Sequence, residues 1–141
     1  MTVDVNWLAV LVSGIVSMIL GFLWYGPIFG KQWIGLMGWT DEQMQAAKAK
    51  GMTKSYVIMF VSALLTPWVL SYIIAYSSNF TGMTGVSVGL SSGFWAWLGF
   101  IVPVSLGPVL WEGKSWKLWF LNVGYYLVLF LIIGAILATW R

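Results

Sequence analysis

Across 141 residues the chain carries four carboxylates, seven basic side chains, six tyrosines, no Cys and no His. Thiolate and imidazole ligation, thiol catalysis, His-based triads and haem held by His are thereby excluded. The carboxylates are Asp4, Asp41, Glu42 and Glu112. Catalysis by what remains would need an acid–base pair or a nucleophile with a base. None of the carboxylates has an acidic partner at a spacing that builds such a site. Glu112, close to Lys114, comes nearest, and its simpler reading is a loop carboxylate offsetting nearby lysines. This chemistry argues against an enzyme, offers no metal site and implies no cofactor.

A second grouping is more distinctive. Residues 21–33 read "GFLWYGPIFGKQW", placing Trp24, Tyr25, Lys31 and Trp33 around two glycines and a proline. Backbone N–H groups at Gly26 and Gly30, with Lys31, could hold a phosphate or carboxylate. Rings and a cation at the end of an apolar run are also what anchors a helix at headgroup level, where a basic residue gains about 1 kcal/mol. The anchor accounts for every feature without a ligand. Gly26-Pro27 then ends the helix, because proline cannot donate and glycine accepts any turn.

The elements that must position these residues follow from composition. The chain is 60% apolar and 8% charged, with a mean hydropathy of +0.89, far outside the range of soluble domains. One domain's length cannot hide that excess in a core, so it faces lipid. Uncharged runs cover about 5–25, 56–76, 86–111 and 118–140. Each exceeds the ~20 helical residues that cross a hydrocarbon core. Runs this long without period-two alternation are helices rather than barrel strands. The expected fold is an all-α integral membrane protein, a single domain with four transmembrane helices in a bundle. The start, "MTVDVNW", lacks the basic residues of a cleaved signal, so the first run is expected to be a retained span. A net charge of +3, dispersed over loops, does not suggest nucleic acid.

Loop charges set a direction. Lys31, Lys48, Lys50 and Lys54 lie in the first loop, Lys114 and Lys117 in the third, and only Arg141 on the other face. Basic loops stay in the cytoplasm, so both termini are expected outside, across a cell inner membrane. Within the first loop, "WTDEQMQAAKAKG" reads as a short cytoplasmic helix over about 41–50. Thr40 is its N-cap, Gln43 closes a capping box and Gly51 stops it.

Association between membrane helices relies on close backbone approach and a few polar contacts. Gly85, Gly89 and Gly93 form a GxxxGxxxG run, a glycine zipper. Ala9, Ser13, Ser17 and Gly21 repeat the same spacing in the first span. These faces are expected to make close crossings, with each other in one subunit or across a subunit boundary. Pro67 and Pro103 fall inside spans and free the carbonyls of Ala63 and Gly99, so each is expected to kink its helix, with a freed carbonyl lining an ion path as the alternative. Ser105 and Asn122 lie at similar depth, so a hydrogen bond between them is expected. Trp95 and Trp97, with Trp68, sit inside spans and are read as packing or lipid-facing residues, with an apolar or cation–π pocket as the alternative.

"LGFLWYGPIFGKQW" and "LGPVLWEGKSWKLW" both place Leu-Gly before Leu-Trp, then Gly-Lys and another Trp. That echo would make the chain a parallel 2+2 repeat of a two-helix unit. "NWLAVLVSG", "GFLWYGPIFGKQW", "WLGF" and "LWEGKSWKLWFLNVGYYLV" together resemble the bacterial membrane family known as domain of unknown function 1761 (DUF1761). The resemblance covers nearly the whole chain and implies a small four-helix membrane protein, with no activity to carry over. Residues matching its pattern are Asn6, Trp7, Trp24, Tyr25, Pro27, Phe29, Gly30, Lys31, Trp33, Glu112, Gly113 and Asn122; Gly26 stands where serine is more usual. The expected role is non-enzymatic: self-association, or docking on membrane proteins or lipids. A small oligomeric channel or carrier for a neutral or weakly charged solute is the alternative. Lipid and a homo-oligomer or membrane-protein partner are the expected contacts, with any small ligand unidentified.

Overall fold

The computed structural model describes residues 2–141, 84% in helix and with no strand among the described residues. Helix α1, Trp7–Leu23, opens on Asn6, whose side-chain oxygen accepts from the N–H groups of Leu8 and Ala9. Two donors orphaned at a helix start are thereby satisfied. The chain then passes through a five-residue π-helical turn, Trp24–Ile28, into α2, Gly30–Met37. This corrects the expectation that Gly26-Pro27 stops the helix. Pro27 has no N–H to give. The wider turn, closed by the Phe29 N–H on the Trp24 carbonyl at 2.9 Å, carries the backbone past the missing bond.

Helix α2 ends on Gly38 in the left-handed region, and α3, Asp41–Ala49, follows. Its capping box is complete. Gln43 N–H donates to Thr40 Oγ1 at 3.2 Å and Thr40 N–H to Gln43 Oε1 at 3.0 Å. Helix α4, Thr53–Thr81, outruns the apolar stretch of 56–76 at both ends. Hydropathy marks where hydrocarbon suits the chain, and the polar Ser, Thr and Asn residues beyond Tyr76 continue the helix. Pro67 lies buried within α4 without breaking it. Gly82 then turns the chain into α5, Gly85–Ala96.

The run expected as one span over 86–111 is broken. After α5 come a second π-helical turn, Trp97–Ile101, a 3-10 turn at Val104–Leu106 and the short α6, Gly107–Trp111. The axis bends by 42° across Val102-Pro103, because proline donates no bond and crowds the residue before it. Helix α7, Trp116–Thr139, starts on the Ser115 cap and closes the chain. Three helical stretches, Trp7–Ile28, α4 and α7, are long and apolar enough to cross a membrane; the bent pair makes a fourth if it counts as one span.

Helix α7 is the centre of the bundle and touches α1, α4 and α5. At the α5–α7 crossing a Cβ on Gly89 would overlap the Gly134 carbonyl, and one on Gly93 would lie 2.5 Å from the Phe130 oxygen. Only glycine allows backbones so near. On α1, Gly14 faces Leu64 and the carbonyl of Ala63, the one left without its donor by Pro67. Ile133, Ile74, Leu70, Val88 and Ala9 are nearly solvent-free between these helices. Trp7 against Trp68 and Phe22 against Tyr56 show α1 and α4 antiparallel. Gly89 on Gly134 and Gly93 on Phe130 show the same of α5 and α7.

Candidate functional site

The π-helical turn after α1 swings its aromatic side chains inward, onto the first turns of α7. Trp24 lies over Gly124, its ring 3.6 Å from where a Cβ would be, and its indole N–H donates to the Leu121 carbonyl at 3.2 Å. Tyr25 donates its hydroxyl proton to Asn122 Oδ1 at 2.8 Å. Tyr125 donates to the Ser17 carbonyl at 3.3 Å, and Gly21 leaves room for its hydroxyl. Ring centroids lie 5.2 Å apart for Tyr25–Tyr125, 4.9 Å for Tyr25–Trp33 and 4.9 Å for Trp33–Trp39. These tilted and edge-on pairings suit the aromatic quadrupole. Gly30 is buried beside them, and a Cβ there would sit 2.9 Å from the Tyr25 carbonyl. A linked aromatic knot thus ties α2 to α7, with Trp39 stacked on its outer end.

Trp24 and Tyr25 are therefore half-buried and hydrogen-bonded to the core, where the sequence suggested anchors facing lipid headgroups. Lys31 is exposed on α2, and Trp33 is stacked between Tyr25 and Trp39. The chemistry of the knot is positional. Its polar atoms are engaged with one another and with backbone, which fixes geometry more readily than it binds an ion.

A family model described as a protein of unknown function, DUF1761, matches residues 8–138. The chain belongs to this family. No curated protein and no solved structure matches. The DUF1761 match takes in the knot, both π-helical turns and all of the α5–α7 crossing.

Elsewhere in this DUF1761 chain the predicted residues divide. Ser105 and Asn122 are not joined. Ser105 donates to the Val102 carbonyl and accepts the Trp119 indole N–H, each at 3.0 Å, while Asn122 takes the Tyr25 hydroxyl. The break at Pro103 turns Ser105 towards the start of α7, which the depth argument for a straight helix missed. Trp95 and Trp97 diverge: Trp95 is 64% exposed, whereas Trp97 donates its indole N–H to the Val123 carbonyl at 2.9 Å. Glu112 is exposed and Lys114 half-buried at the turn before α7. The two small-residue faces do not pair with each other. Gly89 and Gly93 meet α7, and Ser17 and Gly21 meet Tyr125 of the same helix. Ala9 and Ser13 are buried within the bundle, and Gly85, at φ 65°, opens α5 with nothing nearby.

Sequence reasoning missed Tyr125 and Gly134. The spacing Gly134-x-x-x-Ala138 was the available signal, since both atoms face Gly89. It also overlooked what Asn6 does, which is to cap α1 and donate to the Trp140 carbonyl at 3.1 Å.

Proposed function

We propose that this is a non-enzymatic, multi-pass protein of the cell inner membrane that docks onto membrane partners, lipids or further copies of itself through its lysine-bearing end. The observation that carries this reading is the pair α2 and α3, the first tied to α7 and the second standing out from the bundle. The Tyr25–Tyr125 contact ties the turn before α2 to α7, Trp33 and Trp39 are chained onto Tyr25, and α3 beyond them buries no residue. Lys31, Lys48, Lys50, Lys54 and Lys117 are all exposed around it. A basic, outward-facing element suits recognition better than packing. Positive loops favour the cytoplasm, which gives the orientation, with both termini outside.

The count of four crossings is supported by the Asn6–Trp140 bond. Ends held together share a face of the membrane, and that needs an even number of passes. A parallel 2+2 arrangement draws support from the two π-helical turns. Both read Trp-x-Gly-x-Ile, at 24–28 and 97–101, and each turns its Trp indole onto an α7 carbonyl. The earlier echo is less apt, since Trp24 is half-buried and Trp111 is 85% exposed.

Native mass spectrometry from mild detergent tests the docking role. Purified protein should retain phosphatidylglycerol or a second copy, and Gln at Lys31, Lys48 and Lys50 should reduce that retention. A bare monomer indifferent to these changes would refute it. The alternative, a small oligomeric channel or carrier for a neutral or weakly charged solute, draws on the broken third span. Flux of a neutral solute into proteoliposomes would favour it.

A further inference from the structure

The third span breaks at a depth where irregular backbone is hard to accommodate. Residues 97–101 straddle the middle of the apolar run 86–111. There the Val102 N–H bonds to the Trp97 carbonyl at 3.1 Å instead of to Leu98, and Pro103 has no N–H for Gly99. Two consecutive carbonyls thus lose the donors that a continuous helix would give them. Further along, the chain makes its own repairs. The Val102 carbonyl accepts from the Ser105 hydroxyl at 3.0 Å, and that of Pro103 from the Leu106 N–H at 3.3 Å.

Pro67 poses the same problem in α4, and there the freed Ala63 carbonyl faces Gly14 of α1. Gly99 has no such neighbour. It is exposed, and a Cβ on it would meet no atom within 4 Å. Irregular backbone at this depth persists only against protein or a water-filled cavity. Water suits the place poorly, because the side chains exposed around the break are Leu98, Phe100 and Val104.

Trp95 is the second observation. An indole favours the membrane surface, and away from it the N–H needs an acceptor. Trp24, Trp97 and Trp119 each have one. Trp95 stands one turn before Gly99 and is 64% exposed, and its N–H has no acceptor among the described residues. A spare donor and two under-served acceptors therefore lie on one exposed segment.

We propose that the broken third span is the seam of a homodimer. A second copy lies against Gly99, and each Trp95 indole N–H bonds the Leu98 or Gly99 carbonyl of the other copy. A two-fold pairing makes this exchange twice with the same residues. The missing side chain at Gly99 lets the backbones approach. The seam rests on the third span crossing the bilayer as proposed above, and it is separate from the lysine-bearing end.

The test is energy transfer between donor- and acceptor-tagged full chains in lipid vesicles. Gly99→Leu should abolish transfer while the chain keeps its helical circular dichroism. Trp95→Phe should weaken association about five- to tenfold, the loss of two interhelical hydrogen bonds. Gln at Lys31, Lys48 and Lys50 should leave it unchanged. Gly99→Cys, in a chain with no other cysteine, should form disulfide dimers with copper phenanthroline, whereas Val61→Cys on the exposed side of α4 should not. Reaction of Gly99→Cys with an aqueous maleimide in sealed vesicles would defeat the crossing together with the seam. An unreactive Gly99→Cys that forms no dimer, or transfer unchanged in Gly99→Leu and Trp95→Phe, would defeat the seam alone. Transfer lost with the lysines but kept in Gly99→Leu would overturn it in favour of the lysine-bearing end.

Discussion

Tyr25 and Asn122 are separated by 97 positions, yet they share a 2.8 Å hydrogen bond beneath stacked rings. Each residue stood out in the sequence, one as an aromatic at a span's end and the other as a polar group inside an apolar run. Their pairing was not legible, because the π-helical turn that rotates Tyr25 inward depends on where α7 lies. Hydrogen bonds of this kind between membrane helices average ~0.6 kcal/mol and reach ~1.7. Tyr25→Phe should therefore cost about 0.6–1.7 kcal/mol in thermal unfolding from detergent. A double-mutant cycle with Asn122→Leu should show the two losses to be shared rather than additive. Trp24→Phe keeps a ring over Gly124 but removes the donor to Leu121, so it should resemble Tyr25→Phe in size. Additive losses in the cycle would mean the contact is incidental.

Among the elements, the capping box of α3 and the glycine run of α5 could be read directly, because each is a local rule written in adjacent residues. The break in the third span could be read only in part. Pro103 announced a kink, but the π-helical turn before it answers to Trp97 bonding α7. Helix partners were the least legible feature, since small residues advertise a smooth face without saying whose. Gly89 meets Gly134, and a side chain at either would strike backbone carbonyl rather than a yielding side chain. Gly89→Leu and Gly134→Leu should each destabilise the fold by about 1–3 kcal/mol or more, seen as loss of the main size-exclusion peak after heating. Gly85→Ala meets open space and should cost only its left-handed backbone strain, about 1–2 kcal/mol. A Gly89→Leu protein as heat-resistant as the parent would contradict the crossing.

Taken whole, the molecule divides its charge between two ends. The stretch from α2 to the start of α4, with the turn into α7 and that helix's first residues, carries all the lysines, while the Gly82 turn and the two chain ends carry only Asp4 and Arg141. The sequence contains no Cys, so single cysteines introduced one at a time report accessibility without background. In intact cells a membrane-impermeant maleimide should reach Met83→Cys and leave Lys48→Cys unlabelled until the membrane is opened. Labelling of both positions from the same side would break the proposed topology.

The Asn6–Trp140 bond brings the beginning and end of the described chain side by side. Where two ends meet, the order in which the helices are written becomes a convention rather than a necessity. A permuted gene that bridges residues 141 and 2 with a short flexible tether and opens at Gly82 should yield the same bundle, with α5 now leading. Its insertion and melting behaviour, set beside those of the parent, would report how far assembly depends on which helix emerges first.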